Sequence, residues 1–229
     1  MPDDDSPPSP VFHFPLGTPA EPVTTVVPFA ASSYIFRLKS YDILNTRSRH
    51  EDTNYVTVGT LVDGVSQSKT VKMGDQNNGH FSPPIHLDPV RVERPDAQII
   101  FSYLIVNSGH DDEEKTRKGL TDALNVAMSK GVEMAGATLG TAIGGPVGGV
   151  VGDLLGQVLS FLGGKGRDLV FANCDGPVAF EQVAFTGEDL WRLTQQGHGF
   201  ERVTDHPGTD SAAGCGSNSH YSVRWSVTR

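Results

Sequence analysis

Cysteine is scarce in this chain of 229 residues: Cys174 and Cys215 are the only two. Two thiols cannot form the closely spaced, four-ligand set of a structural zinc site. They suit one disulfide, which would tie the turn at Cys174 to the loop at Cys215. Two structural thiols are the alternative. Clustered positive charge is also missing. The 18 Lys and Arg stand against 27 Asp and Glu, for a net charge of −9. Arg37, Lys39, Arg47 and Arg49 are scattered, and Lys115, Arg117 and Lys118 follow four acids. That balance gives no general attraction to phosphate backbones or anionic membrane surfaces, so no nucleic acid is expected as a partner. The first residues, Met1-Pro2-Asp3-Asp4-Asp5, lack the basic start and apolar run of a secretory leader. The expected location is therefore the cytoplasm, or outside the cell by a route not visible in the sequence.

Catalytic signatures are wanting too. No histidine pair has the i, i+4 helical spacing of metalloprotease sites, and no glycine loop ends in Gly-Lys-Ser/Thr. The eight histidines, His13, His50, His80, His86, His110, His198, His206 and His220, are dispersed and are expected in loops or at the surface. Cys215 has His220 five residues on, which makes a thiol hydrolase one alternative. Asp42, Asp52, Asp75, Asn77 and Asn78 fall between predicted strands, where oxygens can gather around Ca²⁺. Their spacing matches no calcium loop, so no cofactor is expected.

What the sequence does contain is β pattern. Residues 1–28 read as an extended, proline-rich arm. From Ser32 to Ile43, Tyr34, Phe36 and Leu38 alternate with Ile35, Arg37 and Lys39. Tyr55–Val62 and Val65–Met73 are joined by Asp63-Gly64, the turn pair a type I′ hairpin requires because both central residues need positive φ. Residues 82–96 carry four prolines and predict an irregular crossing or an edge strand. Ala97–Val106 is apolar on both faces and predicts a central strand covered on each side. After an interruption, 168–173, 178–185 and 200–204 read as strands, with Thr186 capping a short helix over 190–196. Tyr221, Val223, Trp225 and Val227 form the core face of a closing strand.

The interruption is helical. Asp111–Glu114 precede an apolar repeat, Leu120, Leu124, Ala127, Met128, Gly131, Ala135 and Leu139, predicting a helix over 112–143. Gly144-Gly145-Pro146 breaks it, and a second helix is expected over 146–162. Gly136, Gly140, Gly144, Gly148, Gly152 and Gly156 recur every fourth residue. Such a stripe lets two helix backbones approach closely, within one hairpin or between subunits. Met134–Gly152 holds no charged residue, and at motif level it resembles glycine-zipper segments of some bacteriocins and membrane pore formers. The resemblance implies conditional membrane insertion as an alternative role.

The expected fold is therefore mainly β: an antiparallel β-sandwich over 29–229, interrupted at about 112–164 by a glycine-zipper helical hairpin. A two-layer α+β arrangement is the alternative. The expected function is a non-enzymatic binding or assembly module, whose partner is a second copy of the chain or a membrane.

Overall fold

The structure, a computed structural model, describes residues 28–48, 51–109, 112–135, 175–197, 199–208 and 219–229. The arm up to residue 27, the second helix, the six zipper glycines and both cysteines lie outside the described residues, as does the strand expected at 168–173.

Nine strands and two helices succeed one another among these residues: β1 (Ser32–Asn45), β2 (Asp52–Val62), β3 (Val65–Gln76), β4 (Gly79–Phe81), β5 (Val90–Val92), β6 (Gln98–Asn107), α1 (Glu113–Ala135), β7 (Gly176–Thr186), α2 (Gly187–Leu193), β8 (Phe200–Pro207) and β9 (His220–Thr228). The strands make two antiparallel sheets. One has the order β4-β1-β9-β8, with β5 also pairing β1; the other has the order β3-β2-β6-β7. This is the mainly β fold with a helical insertion that the sequence patterning predicts.

Local chemistry explains each element. Asp63 and Gly64 both have positive φ, 46° and 87°, so the β2–β3 hairpin turns as its sequence requires. The closing strand β9 pairs along β1, and Tyr221, Val223, Trp225 and Val227 all enter the core between the sheets. In β1 the alternation changes phase. Leu38 pairs with Trp225 but Ser40 with Arg224, so Lys39 is the extra residue of a bulge. Tyr34, Phe36 and Leu38 point inward before it, and Tyr41 and Ile43 after it. The inner layer is aromatic: Trp225 packs against Phe101, Phe185 and Phe200 with ring centroids 4.8, 6.2 and 5.6 Å away.

The outer face of the β3-β2-β6-β7 sheet is covered by α1. Leu120, Ala123, Leu124, Ala127 and Met128 are buried on the helix, over Tyr55, Leu104, Val106 and Phe180 of the sheet. This is why β6 is apolar on both faces. Gly59 makes the close approach possible, because a β-carbon there would lie 2.7 Å from Met128 Cε. At the start of α2, Thr186 and Asp189 form a capping box, and the Gly187 amide donates to the Ala97 carbonyl.

Candidate functional site

β8 breaks the rule that apolar residues face the core. Residues directly opposite in an antiparallel pair share a face. Phe200, Arg202, Thr204 and His206 lie opposite Val227, Trp225, Val223 and Tyr221, so these four point into the sandwich. Val203, the apolar residue between them, is 49% exposed. The strand is therefore inverted, and three of its four inward residues are polar.

What they meet is a carboxylate. Glu181 lies on β7 opposite Tyr103 of β6, facing inward, and is 3% exposed. Its Oε2 accepts from Tyr103 Oη at 2.9 Å, Thr204 Oγ1 at 3.0 Å and Trp225 Nε1 at 3.0 Å. Arg202 Nε lies 3.1 Å from Oε1. A lone buried carboxylate costs several kcal/mol of lost hydration, and hydrogen-bond donors from both sheets offset that here.

His206 ends the chain of contacts. Its Nε2 lies 2.7 Å from Tyr103 Oη, and the rings meet edge to face at 5.7 Å. Tyr103 has a single hydroxyl hydrogen. Given to Glu181, it leaves the Tyr103 oxygen to accept from His206, which assigns the neutral imidazole the Nε2–H tautomer. Burial, and then the Glu181 charge, raise the Tyr103 hydroxyl well above its ordinary range, so it stays a donor. Burial also lowers His206 from 6.5 to about 4; the nearby His220 adds to this and Asp205 opposes it. The expectation that the histidines are surface or loop residues is thus corrected for His206, which strand register turns towards the core in a half-buried position.

A second polar cluster adjoins the first through the His206–Tyr221 pair. The Tyr221 hydroxyl donates to Asp52 Oδ2 at 2.6 Å and accepts from Asn54 Nδ2 at 3.0 Å. Gln76 Oε1 accepts from Tyr41 Oη at 2.5 Å and from Asn54 Nδ2 at 3.1 Å. Asp52 also receives the backbone amides of Arg47 and Ser48, each at 2.7 Å, which fixes the turn after β1. Nearby, Asn107 Oδ1 accepts from the Thr53 amide at 2.8 Å, and Asp175 Oδ1 from the Gly109 amide at 3.2 Å. These last two bonds secure the places where the chain leaves for the insertion and returns from it. Side-chain bonds to backbone thus make this end of the sandwich a fixed frame for its loops.

The other sequence candidates do not converge. Asp42 bonds His80 at 2.7 Å on the surface, Asp75 accepts from Thr53 at 2.5 Å, and Asn78 donates to the Leu44 carbonyl at 3.0 Å. Asp52 is buried in its own cluster. Among the described residues, no group of three or more His, Cys, Asp or Glu is placed to hold a metal ion. His220 starts β9, but its proposed partner Cys215 lies outside the described residues, so no thiol–imidazole geometry is defined. Neither Glu181 nor the inversion of β8 is anticipated from sequence. The available signal is a core-facing alternation in 178–185 that places Glu181 in phase with Val183 and Phe185.

A shallow groove lies elsewhere, where α1 meets β3 and the crossing segment before β5. Lys69, Glu113 and Arg117 line it beside Val71, Pro84 and Ile85. Lys69 Nζ donates to the His86 carbonyl at 2.6 Å, and Gln67 exchanges two bonds with the Asp88 backbone, strapping the crossing segment along β3.

Comparison of the chain with protein-family models, with curated proteins and with solved structures finds no match.

Proposed function

We propose that this chain is a non-enzymatic binding or assembly module, whose sandwich holds the helical insertion in position to contact a partner. The groove between α1 and the β3 side of the sandwich carries this reading. It lies where three elements meet, and its lining combines charges of both signs with apolar residues. Such amphipathic concavities suit recognition of another surface. A second copy of the chain is the first partner to test. Sedimentation equilibrium over a wide concentration range should show the average mass rising from monomer towards dimer. Arg117→Glu, which reverses an exposed charge lining the groove, should hold it at monomer. A constant monomer mass for the unaltered chain would refute self-assembly. Release of dye from neutral-lipid vesicles across a range of pH would then favour membrane insertion, although among the described residues no helix is long and apolar enough to cross a membrane.

A further inference from the structure

The inverted strand β8 has a second peculiarity: its tie to the opposite sheet is almost wholly polar. Arg202, Thr204 and His206 form successive rungs, the first two to Glu181 and the third to Tyr103. Phe200, at the other end, is apolar and packs on Trp225 of the neighbouring strand β9. β8 is also an edge strand, with β9 its single neighbour among the described residues. An edge strand held this way has little apolar contact opposing its release.

We propose that β8 is an acid-released latch, in which protonation of His206 frees the Pro207 end of the strand from the opposite sheet. The groups that face this imidazole are few. Tyr103 on β6 is its hydrogen-bond partner, and Glu181 on β7 lies one bond beyond. Tyr221 on β9 is its cross-strand neighbour, with His220 beside it. On its own strand stand Asp205 and, two rungs away, Arg202. Only Asp205 lies next to the ring as a negative charge, and it alternates to the opposite, solvent face of β8. A cation formed at His206 is therefore poorly hydrated and has no carboxylate in direct contact. It gains more by leaving for water than by staying. Opening from the Pro207 end would let water reach Tyr103, Glu181 and the Trp225 indole N–H. Phe200 would remain seated, so the movement is local. This latch is independent of the groove and of self-assembly.

Hydrogen exchange of the full chain, corrected for the intrinsic effect of pH, tests the proposal. The gap between 6.5 and about 4 sets the scale. Between pH 7 and pH 4, opening of 203–206 should rise roughly 100-fold in the unaltered protein, while the Phe200 end of β8, β2 and β6 stay protected. His206→Gln keeps a side-chain N–H for the Tyr103 oxygen but cannot titrate, and should flatten the rise. His220→Gln should leave most of it. An equal rise in His206→Gln would overturn the proposal, as would a uniform rise over all strands. Should His206→Gln not fold, the ring resonances of His206 in the unaltered protein decide. A ring that titrates near 6.5 while β8 stays protected defeats the latch. A ring that titrates well below 6.5, in step with β8 exchange, supports it.

Discussion

Removing the Glu181 side chain tests most severely how this sandwich tolerates a polar centre. Glu181→Ala deletes the acceptor for the Tyr103, Thr204 and Trp225 donors and the partner of Arg202. The four are not equally harmed. The Arg202 side chain is 20% exposed and can turn to water. Tyr103 can give its hydrogen to His206 if the imidazole changes tautomer. Trp225 has no such escape, because it is fully buried and its indole nitrogen can only donate. Leaving one buried donor unmatched costs about 1–3 kcal/mol, and breaking a buried charge pair from one side costs about 3–5 kcal/mol. These overlap rather than add, so a loss of about 3–5 kcal/mol is expected. For a chain of this size that lowers the melting temperature by roughly 6–20 °C. Urea unfolding followed by far-ultraviolet circular dichroism, with the m-value shared between variants, measures the difference. Glu181→Gln should fall between, since its amide keeps an acceptor oxygen but brings two donors into a site already full of them. A loss below about 1 kcal/mol for Glu181→Ala would refute the view that this carboxylate organises the contact between the sheets.

Three further outcomes are expected. Val203→Lys should change stability by less than about 0.5 kcal/mol in the same urea assay, because Val203 points to solvent, although hydrophobic pattern alone would place it in the core. Gly187→Ala should destabilise by about 1–3 kcal/mol, since its methyl would land on the Arg94 carbonyl oxygen, a backbone atom that cannot step aside; thermal denaturation compared with Gly109→Ala, whose methyl would meet only the Thr53 hydroxyl at an ordinary 3.5 Å, checks this. In alkali, burial holds the Tyr41, Tyr103 and Tyr221 hydroxyls above their ordinary value of 10, with the charge of Asp52 adding to the effect at Tyr221 and that of Glu181 at Tyr103. The unfolded chain therefore loses those protons first, stability falls as pH rises past 10, and tyrosinate absorbance should grow together with loss of the folded circular dichroism signal rather than ahead of it.

Most of the framework was legible because it obeys period and turn chemistry. The Asp63-Gly64 pair fixed a hairpin through backbone sterics, and the double-faced apolarity of 97–106 required cover on both sides, which α1 supplies. The Thr186 cap was readable from local hydrogen bonding alone. β8 was harder to read. Its register comes from pairing with β9, a long-range constraint that single-residue hydrophobicity does not encode, and it overrides the preference of Val203 for the interior. The same constraint turns His206 inward, against the expectation for a dispersed histidine. The bulge at Lys39 hid a change of face within β1, since one extra residue leaves composition untouched while reversing every later side chain. Glu181 is not legible in the sequence, because a carboxylate in phase with core residues acquires meaning only once its four partners, from β6, β8 and β9, are known.

The insertion joins two strands that are already neighbours: Asn107 at the end of β6 pairs with Gly176 at the start of β7. In topology, everything between them is the loop of a single hairpin, and a short turn would close the same sandwich. Lineages can lengthen, trim or exchange such a loop without rewiring the rest of the chain, and a protein engineer can use the same junction as a splice point. The freedom is unequal along the segment. Dispensing with α1 would bare Tyr55, Leu104, Val106 and Phe180, turning a covered sheet face into a sticky one. A viable graft at this junction must therefore bring its own amphipathic first helix.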